Sequence, residues 1–266
     1  MSVALTYVFG YTGRVTLNAL YAGARVCVLI ADTANWTVFQ PLRGKGMRVR
    51  SAVEHFVEFG VNSLPIVGLI CFLIGGIMAM QAVYLLRAFG ATQYVANLVG
   101  VIAVRELAPL MTAILLTGRS GSAIAAEIGT MKVSEEIDAL EVMGLNPTKH
   151  LVVPKFLAMV TAIPCLTILG ALIMIFGGFA VTVWVVGLEP AVYIHNTITA
   201  IKIRDFATGF SKSVFFGIVI CLVGVYRGFQ VEGGAEGVGR MTTSSVVTSI
   251  FLIIFVDLIF TYLFFF

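Results

Sequence analysis

Four ionisable side chains stand inside otherwise apolar stretches: Arg105 and Glu106, adjacent in the chain, then Lys212 and Asp257. In hydrocarbon an uncompensated charge costs at least a few kcal/mol, so such groups pair with one another or face a wet cavity, and they mark pathways for substrates or ions. Their depth follows from helix geometry. Glu106 precedes Arg119 by 13 residues, Lys212 precedes Arg227 by 15, and Asp257 follows Arg240 by 17. If each arginine marks a cytosolic border, the three charges share a level roughly 20 to 26 Å above it, at 1.5 Å per residue. Lys212 and Asp257 could pair there, for folding or for transport. Arg105 and Glu106 project about 100° apart on a helix, so one can line a cavity while the other faces elsewhere. Glu106 is therefore expected to act partly independently of the Lys212 and Asp257 pair.

Other chemistry is not written in the chain. No GxxxxGK[ST] phosphate loop occurs; the nearest stretches, GKG at Gly44 and GFSKS at Gly209, have the wrong spacing. HExxH and GxSxG are absent, and His55, His150 and His195 lie far apart, so no catalytic residue and no metal site is expected. Cys27, Cys71, Cys165 and Cys221 sit in apolar runs without metal or disulfide spacing and read as small hydrophobes.

The elements that would position the four charges are membrane helices. Of 266 residues 59% are hydrophobic and 12% charged, with mean hydropathy +1.01. That excludes an ordinary soluble domain, in which about 25% are charged. Apolar stretches from Val61 to Leu86, Val95 to Leu116, Leu151 to Gly187, Phe206 to Tyr226 and Met241 to Phe266 give five crossings, if the long third region crosses once. Pro154, Pro164 and Gly177-Gly178 leave open whether that region is partly interfacial. Residues 11–30 place Arg14, Asn18 and Arg25 on one face, as in a helix lying in the interface. No basic region precedes the apolar residues at the amino terminus, so a cleaved signal peptide is not expected. The expected fold is all-α and polytopic, one domain over 1–266 with its transmembrane core in 61–266. Basic residues gather on the side of Arg43, Lys45, Arg48 and Arg50, which puts the amino terminus in the cytosol and the carboxyl terminus outside. The net charge of +3 is scattered, so nucleic acid is not an expected partner.

One connection carries its own signal. Over residues 131–144, Ser134 can cap a short helix, Glu135 and Glu136 suit its amino end, and Gly144 with Asn146-Pro147 ends it. Val133, Ile137 and Leu140 form an apolar ridge, with Glu135 and Asp138 opposite. The ridge needs cover, from its own subunit or from a soluble partner. Upstream, Gly118, Ser122 and Ala126 form one row of small residues, and Gly121, Ala125 and Gly129 another.

Residues 106–155, ELAPLMTAILLTGRSGSAIAAEIGTMKVSEEIDALEVMGLNPTKHLVVPK, resemble the signature region of MlaE/YrbE permeases, membrane subunits of ABC systems that work with MCE-domain proteins. The resemblance implies a homodimer of five-span subunits in a bacterial inner membrane, with phospholipid handled in a cavity at the dimer interface and carried between inner and outer membranes. It makes the loop helix the coupling helix, through Val133, Glu135, Ile137, Asp138, Leu140 and Gly144. It implies partners: an MlaF-like ATPase dimer that binds ATP and Mg, an MlaD-like periplasmic MCE ring, and a small MlaB-like STAS protein. This chain then carries no cofactor and is a transport subunit rather than an enzyme. On that reading Arg105, Glu106, Lys212 and Asp257 handle headgroups or gating, and Leu85, Leu86 and Phe89 form an apolar wall at the outer end of the first span. An ion-coupled secondary transporter, using the charges as a proton relay, and a non-transporting scaffold remain as alternatives.

Overall fold

The structure, a computed structural model, describes residues 24–39 and 48–265. Most of the expected interfacial helix at 11–30 lies outside the described residues. From residue 24 a helix, α1, runs to Phe39, its last turn widened over Asn35–Phe39. It meets the body where Lys149 Nζ stands 5.2 Å from the centre of the Trp36 ring.

Among the described residues there is no strand, and five helices are long and apolar enough to cross a membrane, which makes the chain a multi-pass membrane protein. The first crossing follows an amphipathic helix, α2 (Val49–Phe59), which leaves Val49, Val53 and Val57 exposed and buries Phe59. A bend at Gly60 and one tight turn, Val61–Ser63, lead into α3 (Leu64–Arg87). Arg119 pins that elbow, its Nη1 donating to Ser63 Oγ at 2.6 Å.

The second crossing, α4 (Thr92–Val133), continues well beyond the expected end at Leu116. Glycine and small residues after Leu116 preserve the helix because the fourth and fifth crossings pack on them: a Cβ on Gly121 would meet Ile220 at 3.0 Å. Two turns of α4 are wide, Ala103–Leu107 and Thr117–Gly121. After the loop helix α5 (Glu136–Val142), α6 (Thr148–Val186) crosses once as a single long helix. Its glycines serve close packing rather than a bend. A Cβ on Gly177 would lie 2.1 Å from Phe72 O, and one on Gly75 would lie 1.9 Å from Met174 O, so α3 and α6 cross backbone to backbone. A short helix unforeseen in the sequence, α7 (Pro190–Ala200), packs on the start of α4. The fourth and fifth crossings are α8 (Ile203–Phe229) and α9 (Gly234–Phe265). The core lies where α3, α4, α6 and α8 meet, whereas α9 is the least buried crossing and exposes Phe251, Leu258 and Tyr262.

Candidate functional site

The charged level forms where α8 crosses α4. Gly209 of α8 sits so close to α4 that a Cβ there would lie 2.2 Å from Val104 O. Only a residue without a side chain permits this approach, and it seats α8 against the wide turn Ala103–Leu107, which carries Arg105 and Glu106. A wide turn inserts an extra residue into the helix and re-aims the side chains on it.

Both charges of that turn reach α8. Arg105 Nε donates to Asp205 Oδ1 at 3.0 Å and its Nη2 makes a second contact with the same oxygen. Asp205 also accepts from the backbone N–H of Lys202 at 3.0 Å, which fixes the first turn of α8. Seven residues along α8, Lys212 Nζ lies 2.5 Å from Glu106 Oε2. Glu106, expected to act partly independently of Lys212 and Asp257, is therefore in direct contact with Lys212, brought there by the wide turn and the close crossing.

Lys212 is fully buried and bridges three helices. Besides Glu106 it contacts Asp257 Oδ1 of α9 at 2.9 Å, an ion pair without hydrogen-bond alignment, and donates to Thr261 Oγ1 at 2.9 Å. Thr261 in turn donates to Glu106 Oε1 at 3.3 Å. The Lys212 and Asp257 pairing expected from their shared depth is present. One ammonium between two carboxylates leaves a formal charge of −1, and the side chains of Glu106 and Asp257 remain 25% and 18% exposed while that of Lys212 is closed off. The arrangement can hold three spans in register and leaves the side chains of Glu106 and Asp257 partly exposed, with Lys212 buried behind them.

Two members of this level were missed in the sequence. Thr261 lies four residues after Asp257, one helical turn on the same face, and that spacing was available. Asp205 was excluded because the fourth span was begun at Phe206.

The apolar wall divides. Leu85 and Phe89, four apart, are both exposed, whereas Leu86 turns inward against the cluster of Ala79, Val95 and Val99. The loop helix also differs from expectation. Met131–Val133 belong to α4, and α5 covers only Glu136–Val142. Glu135, in the left-handed region at φ 58°, is the cap residue, and Ser134 Oγ instead donates back to Thr130 O and across to Glu136 Oε1. Gly144, at φ 73°, ends the helix as expected, with Leu145 N donating to Leu140 O. The ridge is split: Ile137 is buried in the subunit's own core, Leu140 is half-buried and Val133 is exposed. The exposed apolar residues lie instead at the end of α5, where Val142 is 89% and Met143 64% exposed. Asp138 is held by Lys132 Nζ at 2.8 Å.

A second polar junction was not foreseen. Lys155, 1% exposed, donates to Glu127 Oε1 at 2.7 Å and to His55 Nε2 at 3.1 Å, joining α6, α4 and α2. A neutral ring protonated at Nδ1 satisfies both contacts of His55, since Nδ1 lies 3.3 Å from Glu58 Oε2. Nothing in the sequence shows that α2 and α4 close over Lys155.

With this geometry in view, residues 52–263 match the family described as Permease MlaE. The chain belongs to the MlaE permease family. A probable ABC transporter permease protein of Rickettsia typhi is 36% identical over 80% of this chain and 82% of its own length. One of Synechocystis is 33% identical over 77% and 78%. The intermembrane phospholipid transport system permease protein MlaE of Haemophilus influenzae is 34% identical over 79% and 80%. In this MlaE-family permease the match takes in all five crossings almost completely, together with every member of the charged level and the Lys155 junction.

Proposed function

We propose that the chain is the membrane half of an ATP-driven transporter that moves phospholipid between two membranes, with hydrolysis carried out by a separate ATPase. Membership of the MlaE permease family supports transport as the role, and the name of the Haemophilus relative supports phospholipid as the cargo. The single observation that carries a mechanism is Lys212 held between Glu106 and Asp257 across three spans. A network of this kind has few alternative arrangements, because separating any helix strands a charge at a depth where solvation is poor. Movement of α4, α8 and α9 during transport would then occur as whole-helix displacement that exchanges partners at this level, with lipid headgroups or water taking the freed contacts. The reading includes a homodimer, an MCE-domain partner on the periplasmic side, an STAS-domain subunit, and the amino terminus in the cytosol. ATP and Mg belong to the partner ATPase.

Purified complex in vesicles, supplied with labelled phospholipid, tests this. ATP-dependent lipid movement supports it. Movement that follows an ion gradient without ATP would establish a secondary transporter, and no movement under either condition would leave a scaffold.

A further inference from the structure

Between α6, α7 and the start of α8 lie two apolar cavities of about 190 and 450 Å3, which share Leu172, Ile175 and Ile201 and so form one groove. None of Glu106, Lys212 or Asp257 lines it. Its inner end is bounded by Thr167 and Gly209, and its outer end by Phe176 and Phe179. Tyr193 OH and Thr197 Oγ1 donate to backbone carbonyls, so among the hydroxyls of the lining only that of Thr167 is without a partner. A trapped water needs two to four polar partners. The lining therefore suits hydrocarbon rather than water.

The occupant is further limited by charge. At the rim, Ile201 is followed by Lys202, exposed at the amino end of α8, and by Arg204, whose Nη2 donates to Phe264 O at 2.7 Å. Asp205, the nearby carboxylate, is buried and occupied by Arg105. The rim therefore favours an anion. Lys202 precedes Gly209 by seven residues, about 10 Å along α8, so a chain descending from the rim reaches the inner cavity.

We propose that this groove holds an acyl chain of an anionic phospholipid, with its phosphate at Lys202. The site rests on the membrane setting of the five helices and not on the transport reading, so either can fail alone.

The test uses the full-length chain with Trp36→Phe and Trp184→Phe, leaving Phe206→Trp as the sole tryptophan, in phosphatidylcholine vesicles containing brominated phosphatidylglycerol or brominated phosphatidylcholine. Quenching at this reporter is expected to show an association preference for the anionic lipid of about fivefold, the contribution of one lysine near a membrane surface. Lys202→Glu should remove the preference, and a reporter at Phe251→Trp on the exposed face of α9 should show none. Comparing two headgroups at one position cancels any difference in depth. If Phe206→Trp does not insert, Ile198→Trp on the outer part of the groove reads the same site. Equal quenching by both lipids, absence of quenching because protein covers the groove, or a preference that survives Lys202→Glu would each overturn the proposal.

Discussion

Gly209 and Val104 touch backbone to backbone, with room for no side chain: a Cβ on Gly209 would lie 2.2 Å from the Val104 carbonyl oxygen. This contact sets the distance between α8 and the wide turn of α4, and through it the reach of Lys212 to Glu106. Gly209→Ala should separate the helices and cost about 3 kcal/mol or more, since a backbone atom cannot rotate away as a side chain can. Gly239→Ala on α9, where nothing lies within 4 Å, provides the control and should be neutral or slightly stabilising. Thermal unfolding of the two variants in the same detergent checks this; equal midpoints would mean the crossing is not tight.

Lys212→Met leaves the carboxylates of Glu106 and Asp257 facing each other with no cation between them. The loss should be about 3–5 kcal/mol, as for a broken buried pair. Adding Glu106→Gln and Asp257→Asn to Lys212→Met should recover much of it, because no charge then remains unpaired. Glu106→Gln alone should cost about 1–2 kcal/mol, less than a fully buried partner because the side chain is one-quarter exposed. Complex yield and thermal midpoint measure each step. A triple variant no better than Lys212→Met would refute the three-way network.

That Lys212 and Asp257 share a level was legible in the sequence because helix rise converts residue counts into heights, and the two meet as that level allows. What could not be read was azimuth. Whether Glu106 faces Lys212 depends on the wide turn Ala103–Leu107 and on the missing side chain of Gly209, features set by the neighbouring helix rather than by local pattern. The same limit explains Lys155, whose burial is created by α2 and α4, and α7, whose short mixed sequence has no hydropathy signal of its own. The five crossings were legible because apolar length is a one-dimensional property.

Lys155→Met should destabilise less than Lys212→Met, by about 1–3 kcal/mol, because its partner Glu127 is 46% exposed and can recover water. Lys155→Arg should retain the contact with Glu127 at some steric cost and fall between Lys155→Met and the unmodified chain. The two series run under one set of conditions give the order directly. A larger loss at Lys155 than at Lys212 would show that exposure of the partner does not set the cost.

The loop helix gives the last prediction, in which two apolar residues five apart should behave in opposite ways. Ile137 is 3% exposed and packs into the subunit's own core, so Ile137→Asp should damage the fold itself, by several kcal/mol for an unpaired buried charge. Val142 is 89% exposed at the end of α5, so Val142→Asp costs the isolated subunit little, within about 0.5 kcal/mol for a surface change. If α5 docks into a groove on a separate ATPase, an exposed apolar side chain at its tip is a contact that partner would cover, and a carboxylate there would have to be desolvated. Val142→Asp should therefore lower capture of the ATPase at least tenfold, about 1.4 kcal/mol, while membrane insertion and thermal midpoint stay unchanged. Met143→Asp, 64% exposed beside it, should act in the same direction. Pull-down from detergent-solubilised membranes, normalised to the amount of inserted permease, measures capture. Unchanged capture by Val142→Asp and Met143→Asp together would remove the end of α5 as the docking surface, and loss of capture without loss of stability in Ile137→Asp would return that role to the buried side of the helix.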